Sequence, residues 1–457
     1  MTTIDAELVN GVPRSRIVVA SMVGTTVEFY DFYVYATAAV SVFPQLFFPK
    51  GDPTTALLAS LATFGLAFVA RPVGSLVFGH FGDRVGRKAT LVGSLLTMGI
   101  ATFLIGLLPT YQQVGLIAPA LLAVLRFSQG LALGGEWSGA ALLATETAKP
   151  GKRGWAAMWP QVGAPLGFLV ANGVYLTLIT WLGHGTVQPD PQGPFYTWGW
   201  RIPFLLSAVM VAIGLYVRLR LTETPVFSKA IERGERVKAP LAQVFRSSWR
   251  QLIIGTFVIV GAYTLFYVVT TWTLSYGTGA RPPRGTGLGF GYVDFLQLQL
   301  IAVLFFGGML PVAGLLVDRF GRRRTLLVVA VAIMAYGTAF GPLLAADHAS
   351  HATMLVFLVV GMTLTGLAYG PMSAVLPELF PTNVRYTGSG ISFNVSSILG
   401  AAVAPFIATW LTTSYGVARV GLYLIVMAIV SFVALLVMRE TKGTSLDSQG
   451  RDNVGAQ

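Results

Sequence analysis

The sequence predicts an all-α polytopic membrane protein: twelve transmembrane helices in two pseudo-symmetric six-helix bundles. Three observations carry that reading. Of 457 residues, 54% are apolar and only 11% are charged, too few ionic groups to cover a soluble protein, whose surface draws on a chain near a quarter charged. The apolar residues fall into twelve runs, each at least the roughly 20 residues that a helix needs to cross a bilayer. A segment rich in glycine, aspartate and arginine occurs once in each half of the chain.

Taken in order, the runs occupy residues 17–43, 54–80, 89–108, 115–147, 155–182 and 201–221, then 251–276, 294–316, 325–345, 353–377, 389–413 and 416–438. They divide the chain into an amino-terminal bundle, 1–221, a charged linker, 222–250, a carboxy-terminal bundle, 251–438, and a short polar tail, 439–457. An even number of spans puts both ends on one side. That side carries 24 of the 31 Lys and Arg, among them Arg84, Arg87, Lys88, Lys149, Lys152, Arg153 and Arg319, so it is expected to be cytoplasmic. The net charge of +12 therefore reports orientation, and no nucleic acid is expected as a partner. The first run is longer than a signal-peptide core and contains Glu28 and Asp31, so it is expected to stay in the mature chain.

Other chemistries are excluded one by one. There is no cysteine, which removes disulfides, thiolate metal sites and cysteine nucleophiles. The four histidines, His80, His184, His348 and His351, show no metal-ligand spacing, and no serine sits in a nucleophile elbow. The run GTGLGFG, 285–291, follows no strand and is expected to be a plain loop. Neither an enzyme, a cofactor nor a metal is expected.

The repeat is specific. GHFGDRVGRK, 79–88, and GLLVDRFGRRR, 314–324, align at an offset of 235, and Glu146 with Arg153 aligns with Glu378 and Arg385 at an offset of 232. Glycine suits a tight helix-to-helix turn, an aspartate can face the positive amino end of a helix, and arginines can anchor at anionic headgroups.

These loops resemble the signature loop of the major facilitator superfamily. VEFYDF (27–32), RPVGSLVFGHFGDRVGRK (71–88), RFSQGLALGGEWSGAALL (126–143), WGWRIPF (198–204) and PELFPTNVRYTG (377–388) are similar to the metabolite:proton symporter branch over essentially the whole chain. That resemblance implies proton-coupled uptake of a small organic acid or zwitterion, with shikimate, 2-oxoglutarate, citrate, proline and betaine among the branch's substrates, by rocking of the two bundles. It also implies a monomer in a bacterial inner membrane. It gives Gly79, Asp83, Arg84, Gly86, Arg87, Glu146 and Arg153, with Asp318, Arg319, Gly321, Glu378 and Arg385, the role of a cytoplasmic gate, with Asp83–Arg84, Asp318–Arg319 and Glu146–Arg153 as its pairs. The tail lacks the apolar heptads of the osmosensing proline/betaine members, so osmosensing of that kind is not expected.

Five ionisable side chains fall inside spans: Glu28, Asp31, Arg71, Arg126 and Glu136. Each costs roughly 2.5–3.5 kcal/mol at a helix centre, so the set demands partners or a wet cavity. Glu28 and Asp31, three apart, share a helix face that Tyr35 continues. Two such carboxylates do not both ionise easily; one or both are expected to carry the transported proton, or one to pair with Arg71. Arg126, followed by Gln129, Gly130, Gly134 and Ser138 on one side of its helix, is expected either to anchor a substrate carboxylate or to pair with an acid of the first helix. Glu136 is either a second proton site or the partner of Arg71. The second half offers Tyr263, Tyr267, Trp272, Gln297, Tyr369, Ser373 and Asn394; Tyr35, Gln129, Tyr263, Tyr369 and Asn394 are expected to line the substrate site.

Overall fold

A computed structural model describes residues 8–9, 12–49, 51–85, 87–134, 136–146, 148, 151–182, 192–219, 240–282, 285–381 and 384–443. The twelve predicted spans are all helical. In the first half they are α1 (Arg14–Ser41), α2 (Pro53–Val85), α3 (Arg87–Leu107), α4 (Ile117–Leu133, resumed as Glu136–Glu146), α5 (Arg153–Gln161 and Gly163–Leu182) and α6 (Ile202–Leu205 and Ser207–Leu219). In the second they are α7 (Trp249–Tyr267, a π turn Val268–Trp272, then Thr273–Thr278), α8 (Tyr292–Phe320), α9 (Arg322–Gly337), α10 (His351–Tyr369 and Met372–Glu378), α11 (Arg385–Ser397, a π turn Ile398–Ala402, then Ala404–Tyr415) and α12 (Ala418–Val437). Eight helices among the described residues are long and apolar enough to cross a membrane. A two-residue antiparallel pair, Leu8–Val9 with Val12–Pro13, precedes α1. Most of the linker lies outside the described residues; its last part is a helix, Pro240–Ser247.

The internal repeat is visible in the packing. α1 packs on α5 and α6, α2 on α4, and α3 on α6; six helices later, α7 packs on α11 and α12, α8 on α10, and α9 on α12. The halves meet reciprocally, α2 against α11 and α5 against α8. We call the face at which α1 begins and α12 ends the terminal face and the opposite one the distal face.

One feature corrects the sequence expectation. The repeated segment is hardly a loop, because α2 continues to Val85 and α3 begins at Arg87. In the second copy Gly321 alone turns the chain at φ 98°, a backbone region that glycine enters without strain. Glycines also set the spacing of the first bundle. A Cβ on Gly130 would stand 2.2 Å from the Ala67 carbonyl oxygen, and one on Gly134 2.0 Å from that of Arg71. With no side chain there, α4 lies directly on the backbone of α2, and the close approach brings Arg71 and Arg126 into one layer.

Candidate functional site

Arg126 lies on the distal half of α4 and is completely buried. Its guanidinium carbon is 3.9 Å from the ring centre of Tyr35, 4.7 Å from Phe32 and 5.1 Å from Phe64. Nη1 donates to the Gln129 side-chain oxygen at 3.0 Å and Nε to the Phe64 carbonyl at 3.4 Å, while Nη2 has no hydrogen-bond partner. Aromatic faces attract a desolvated cation by about 2 kcal/mol or more, but leaving a buried charge without a counter-ion costs several kcal/mol. The expected pair with an acid of α1 does not form among the described residues, so the arrangement is suited to receiving an anion.

A hydrogen-bonded chain leads away from this cation. Gln129 Nε2 donates to the Thr102 hydroxyl at 2.7 Å, and Thr102 donates to the Met98 carbonyl at 2.9 Å. Thr102 is the polar neighbour of Asp31, but its proton is committed to Met98. Both carboxylate oxygens of Asp31, a residue only 1% exposed, are therefore left without a hydrogen-bond partner. An unpaired carboxylate buried this way is held against a penalty of several kcal/mol, which a proton removes.

Glu28 and Asp31 share a helix face less closely than their spacing suggested. Positions three apart are turned by about 60° on a helix of 3.6 residues per turn, enough for different surroundings. Asp31 looks toward Thr102 of α3, whereas Glu28 lies within electrostatic reach of Tyr263 and Tyr369 in the second half. Arg71 joins this second group. Its guanidinium is 4.6 Å from the Phe68 ring centre and 5.2 Å from that of Phe32, and it reaches Tyr33, Tyr263, Tyr267 and Tyr369 electrostatically. Among the described residues Arg71 forms no ion pair, and its Nε is buried without a partner. The expected Arg71 pairs with Asp31 or Glu28 are thus absent; Glu136, the other proposed partner, has a side chain outside the described residues.

The halves close over this layer through rings and amides. Tyr267 of α7 lies 5.6–6.1 Å from Phe32, Phe64 and Phe68, immediately before the π turn of α7. Trp137 stacks on Phe393 at 3.7 Å, Asn394 donates its side-chain amide to the Gly134 carbonyl at 3.0 Å, and Gln161 donates to the Tyr369 carbonyl at 3.2 Å. Asn394 and Tyr369, expected to line the substrate site, here bind the opposite half. Tyr263 is buried with an unpartnered hydroxyl, and Tyr35 donates its own to Thr63 at 2.8 Å. Gln297 faces outward; the buried glutamine of α8 is Gln299, which bonds the Thr270 carbonyl at 2.7 Å.

At the terminal face the expected Asp318–Arg319 pair is replaced by another, while the side chains of Asp83, Arg84 and Glu146 lie outside the described residues. Asp318 accepts the backbone N–H groups of Gly154 and Trp155, each at 2.9 Å, and so caps α5 of the other half. Its ionic partner is Arg322 at 3.3 Å and not Arg319, because residues four apart on a helix stand together. Arg322 also forks onto Glu378 at 3.0 and 3.1 Å, and Arg153 reaches Glu378 at 3.8 Å across the halves. The expected headgroup arginine is therefore a buried structural one. Arg319 lies against the Phe320 ring and offers its carbonyl to Lys442, while Arg385 is buried and donates to Pro377 and Phe380. Gly86 and the side chains of Asp83, Arg84, Arg87 and Glu146 lie outside the described residues, as does any side-chain environment of Gly79.

Sequence reasoning did not single out Thr102, Gln161, Trp137, Phe393, Thr441 or Glu440. Thr441 donates to Glu378 at 2.6 Å, and Glu440 accepts the N–H of Arg322 and Arg323 at the start of α9. The first four are isolated polar or aromatic residues within apolar runs, and only three-dimensional proximity marks them. Glu440 and Thr441 directly follow the last span, where their acid and hydroxyl were readable as candidate caps.

The sequence pattern of the Major Facilitator Superfamily matches residues 22–398. The chain belongs to this superfamily. Superfamily members of this kind are membrane transporters and not enzymes. The chain is 54% identical to the inner membrane metabolite transport protein YhjE of Escherichia coli (strain K12), over 95% of this chain and 96% of that protein. It is 34% identical to the shikimate transporter of Escherichia coli (strain K12), over 93% and 95% of the two chains. It is also 32% identical to that organism's proline/betaine transporter, over 98% and 87%. Among solved structures, the proton:xylose symporter XylE of E. coli superposes with a TM-score of 0.68 at 17% identity, over 94% of this chain and 97% of that one, a likeness of fold. The protein is thus a multi-pass superfamily transporter of metabolites.

Proposed function

We propose that this transporter is a proton-coupled symporter that takes up a small organic acid, such as shikimate, 2-oxoglutarate or a related carboxylate, across a bacterial inner membrane, with both termini cytoplasmic. The observation that carries the reading is the chain Arg126–Gln129–Thr102 ending beside Asp31. It links a cation with a free donor to a carboxyl with no partner. A substrate carboxylate that engages Nη2 of Arg126 competes with Gln129 for the guanidinium. Gln129 and Thr102 then reorient, and the surroundings of Asp31 change with them. A proton on Asp31 removes the remaining buried charge and lets the halves rock past one another. Glu28, beside Tyr263 and Tyr369 at the meeting of the halves, is the second candidate carrier, and Glu136 the third. Asp318, Arg322, Glu378 and Arg153 act as the cytoplasmic gate. The transporter works as a monomer in this account, since each half supplies the other's closure.

A second reading, uptake of a proline- or betaine-like zwitterion, is favoured by the rings of Phe32, Phe64, Phe68 and Tyr267, since aromatic faces take quaternary ammonium groups. The test is a panel experiment. Purified protein in liposomes with an internal pH dye is challenged with hydroxy acids, keto acids, proline and betaine. Internal acidification with an acid supports the first reading, acidification with betaine the second, and entry of any of them without a pH change sinks proton coupling.

A further inference from the structure

The two membrane-embedded arginines form one site. Arg71 and Arg126 come from different helices, yet their guanidinium carbons lie 5.2 and 4.7 Å from the same Phe32 ring centre, so they are at most about 10 Å apart. Arg126 lies within electrostatic reach of Arg71. Each is more than nine-tenths buried, and each retains a donor with no partner, Nε on Arg71 and Nη2 on Arg126. Two cations of like sign at this distance repel, and among the described residues neither forms an ion pair, Glu28 standing near the tyrosines that Arg71 reaches. Glycine contacts between α2 and α4 force the pair together at the level of Ala67 and Arg71. Such an arrangement lowers its energy most when a single ligand brings a negative charge to each guanidinium.

We propose that the transported anion is a dicarboxylate whose two carboxylates bridge Arg126 and Arg71 past the edge of Phe32. This rests on the organic-acid reading above and narrows it. With a charge-assisted contact at either end, a separation of at most about 10 Å between the guanidinium carbons limits the bridging ligand to a short-chain diacid. Arg126 takes the carboxylate nearer the distal face, in reach of Tyr35. Arg71 takes the other, among Tyr33, Tyr263, Tyr267 and Tyr369, and the unpartnered Tyr263 hydroxyl is a further donor there. A monocarboxylate satisfies only one of the two cations.

The test compares 2-oxoglutarate and succinate with succinamate, the monoamide of succinate, by thermal shift and by competition for labelled uptake into proteoliposomes of the full-length protein. The diacids are expected to bind at least tenfold more tightly than the monoamide, since the site's buried donors punish a ligand lacking their partner. Arg71→Gln should erase that ratio by weakening diacid binding toward that of the monoamide, and Arg71→Lys, which keeps the charge, should restore part of it. Equal binding of succinate and succinamate by the wild-type protein overturns the bridge and leaves the organic-acid reading intact. Binding of betaine alone overturns both.

Discussion

Gln129 accepts a hydrogen bond from the guanidinium of Arg126, three residues earlier on the same helix, at 3.0 Å. The same amide donates to Thr102 on α3 at 2.7 Å, and in the proposed mechanism this bond is the route by which the state of the cation reaches Asp31. Gln129→Leu cuts this chain and leaves Nη1 of Arg126 unpaired, at a cost of about 1–3 kcal/mol. The transporter should still exchange substrate, but the dependence of uptake on external pH should flatten. Unchanged pH dependence in this variant would argue against the chain as the coupling path.

Arg126 separates function from stability. An uncompensated buried charge contributes little to folding, and its replacement by an apolar residue is often neutral or stabilising by about 1–4 kcal/mol. Arg126→Leu should therefore melt no earlier than the wild type while losing uptake by about a hundredfold. Arg126→Lys should recover only part of the uptake, because an ammonium lacks the planar fork. Both are read from detergent melting curves and labelled uptake.

Glu378 is expected to behave in the opposite way. It neutralises Arg322 in a buried fork and accepts the Thr441 hydroxyl. Glu378→Gln removes one of the two carboxylates that hold the buried Arg322, Asp318 at 3.3 Å being the other, and should destabilise the protein by about 1–3 kcal/mol. The double variant with Arg322→Gln should recover part of the loss, which a double-mutant cycle on melting curves measures.

The closure of the terminal face can be blocked by volume alone. A Cβ on Gly154 would stand 2.5 Å from Val317 and 2.8 Å from the Gly314 carbonyl oxygen. Gly154→Val should leave each half folded but hold the terminal face open. The chain has no cysteine, so single introduced cysteines near Val317 report accessibility directly, and their labelling should rise in this variant.

The tail carries a pH dependence of its own. Burial pushes the Glu440 carboxyl up, but bonds from the backbone N–H groups of Lys442, Arg322, Arg323 and Thr441 outweigh it and hold the group below the ordinary carboxylate range. A lowered folded-state value means that the contribution is complete above the unfolded value, about 4.3, and fades as pH falls through the folded one. The protection of the Arg322 and Arg323 amides, measured against their intrinsic exchange at each pH, should fall on acidification, and in Glu440→Gln it should be low and change little over that range.

Much of the fold was legible because bilayer physics writes it into composition. Twelve runs of bilayer length, a Lys/Arg imbalance and a loop repeated at an offset of 235 specify helix number and symmetry. The chemistry was legible as far as single residues went, since an arginine such as Arg126 inside an apolar run demands an explanation. Partners were not. Asp318 finds Arg322 and the amino end of α5 instead of Arg319, and Asn394 finds the Gly134 carbonyl, because helix register and the close glycine contacts decide which residues share a level. Glu28 and Asp31 looked coupled by spacing, but 60° of helical rotation gives them separate neighbours. Thr102 carried no sequence signal; its meaning comes from standing between Gln129 and Asp31.

The central claim is that substrate and proton move together through Asp31. Its most direct test is the internal pH of proteoliposomes after addition of an external organic acid that the wild type transports, compared between wild type and Asp31→Asn. The account predicts internal acidification in the wild type, and in Asp31→Asn retained counterflow of labelled substrate with no acidification. Acidification of equal rate and extent in Asp31→Asn would contradict it.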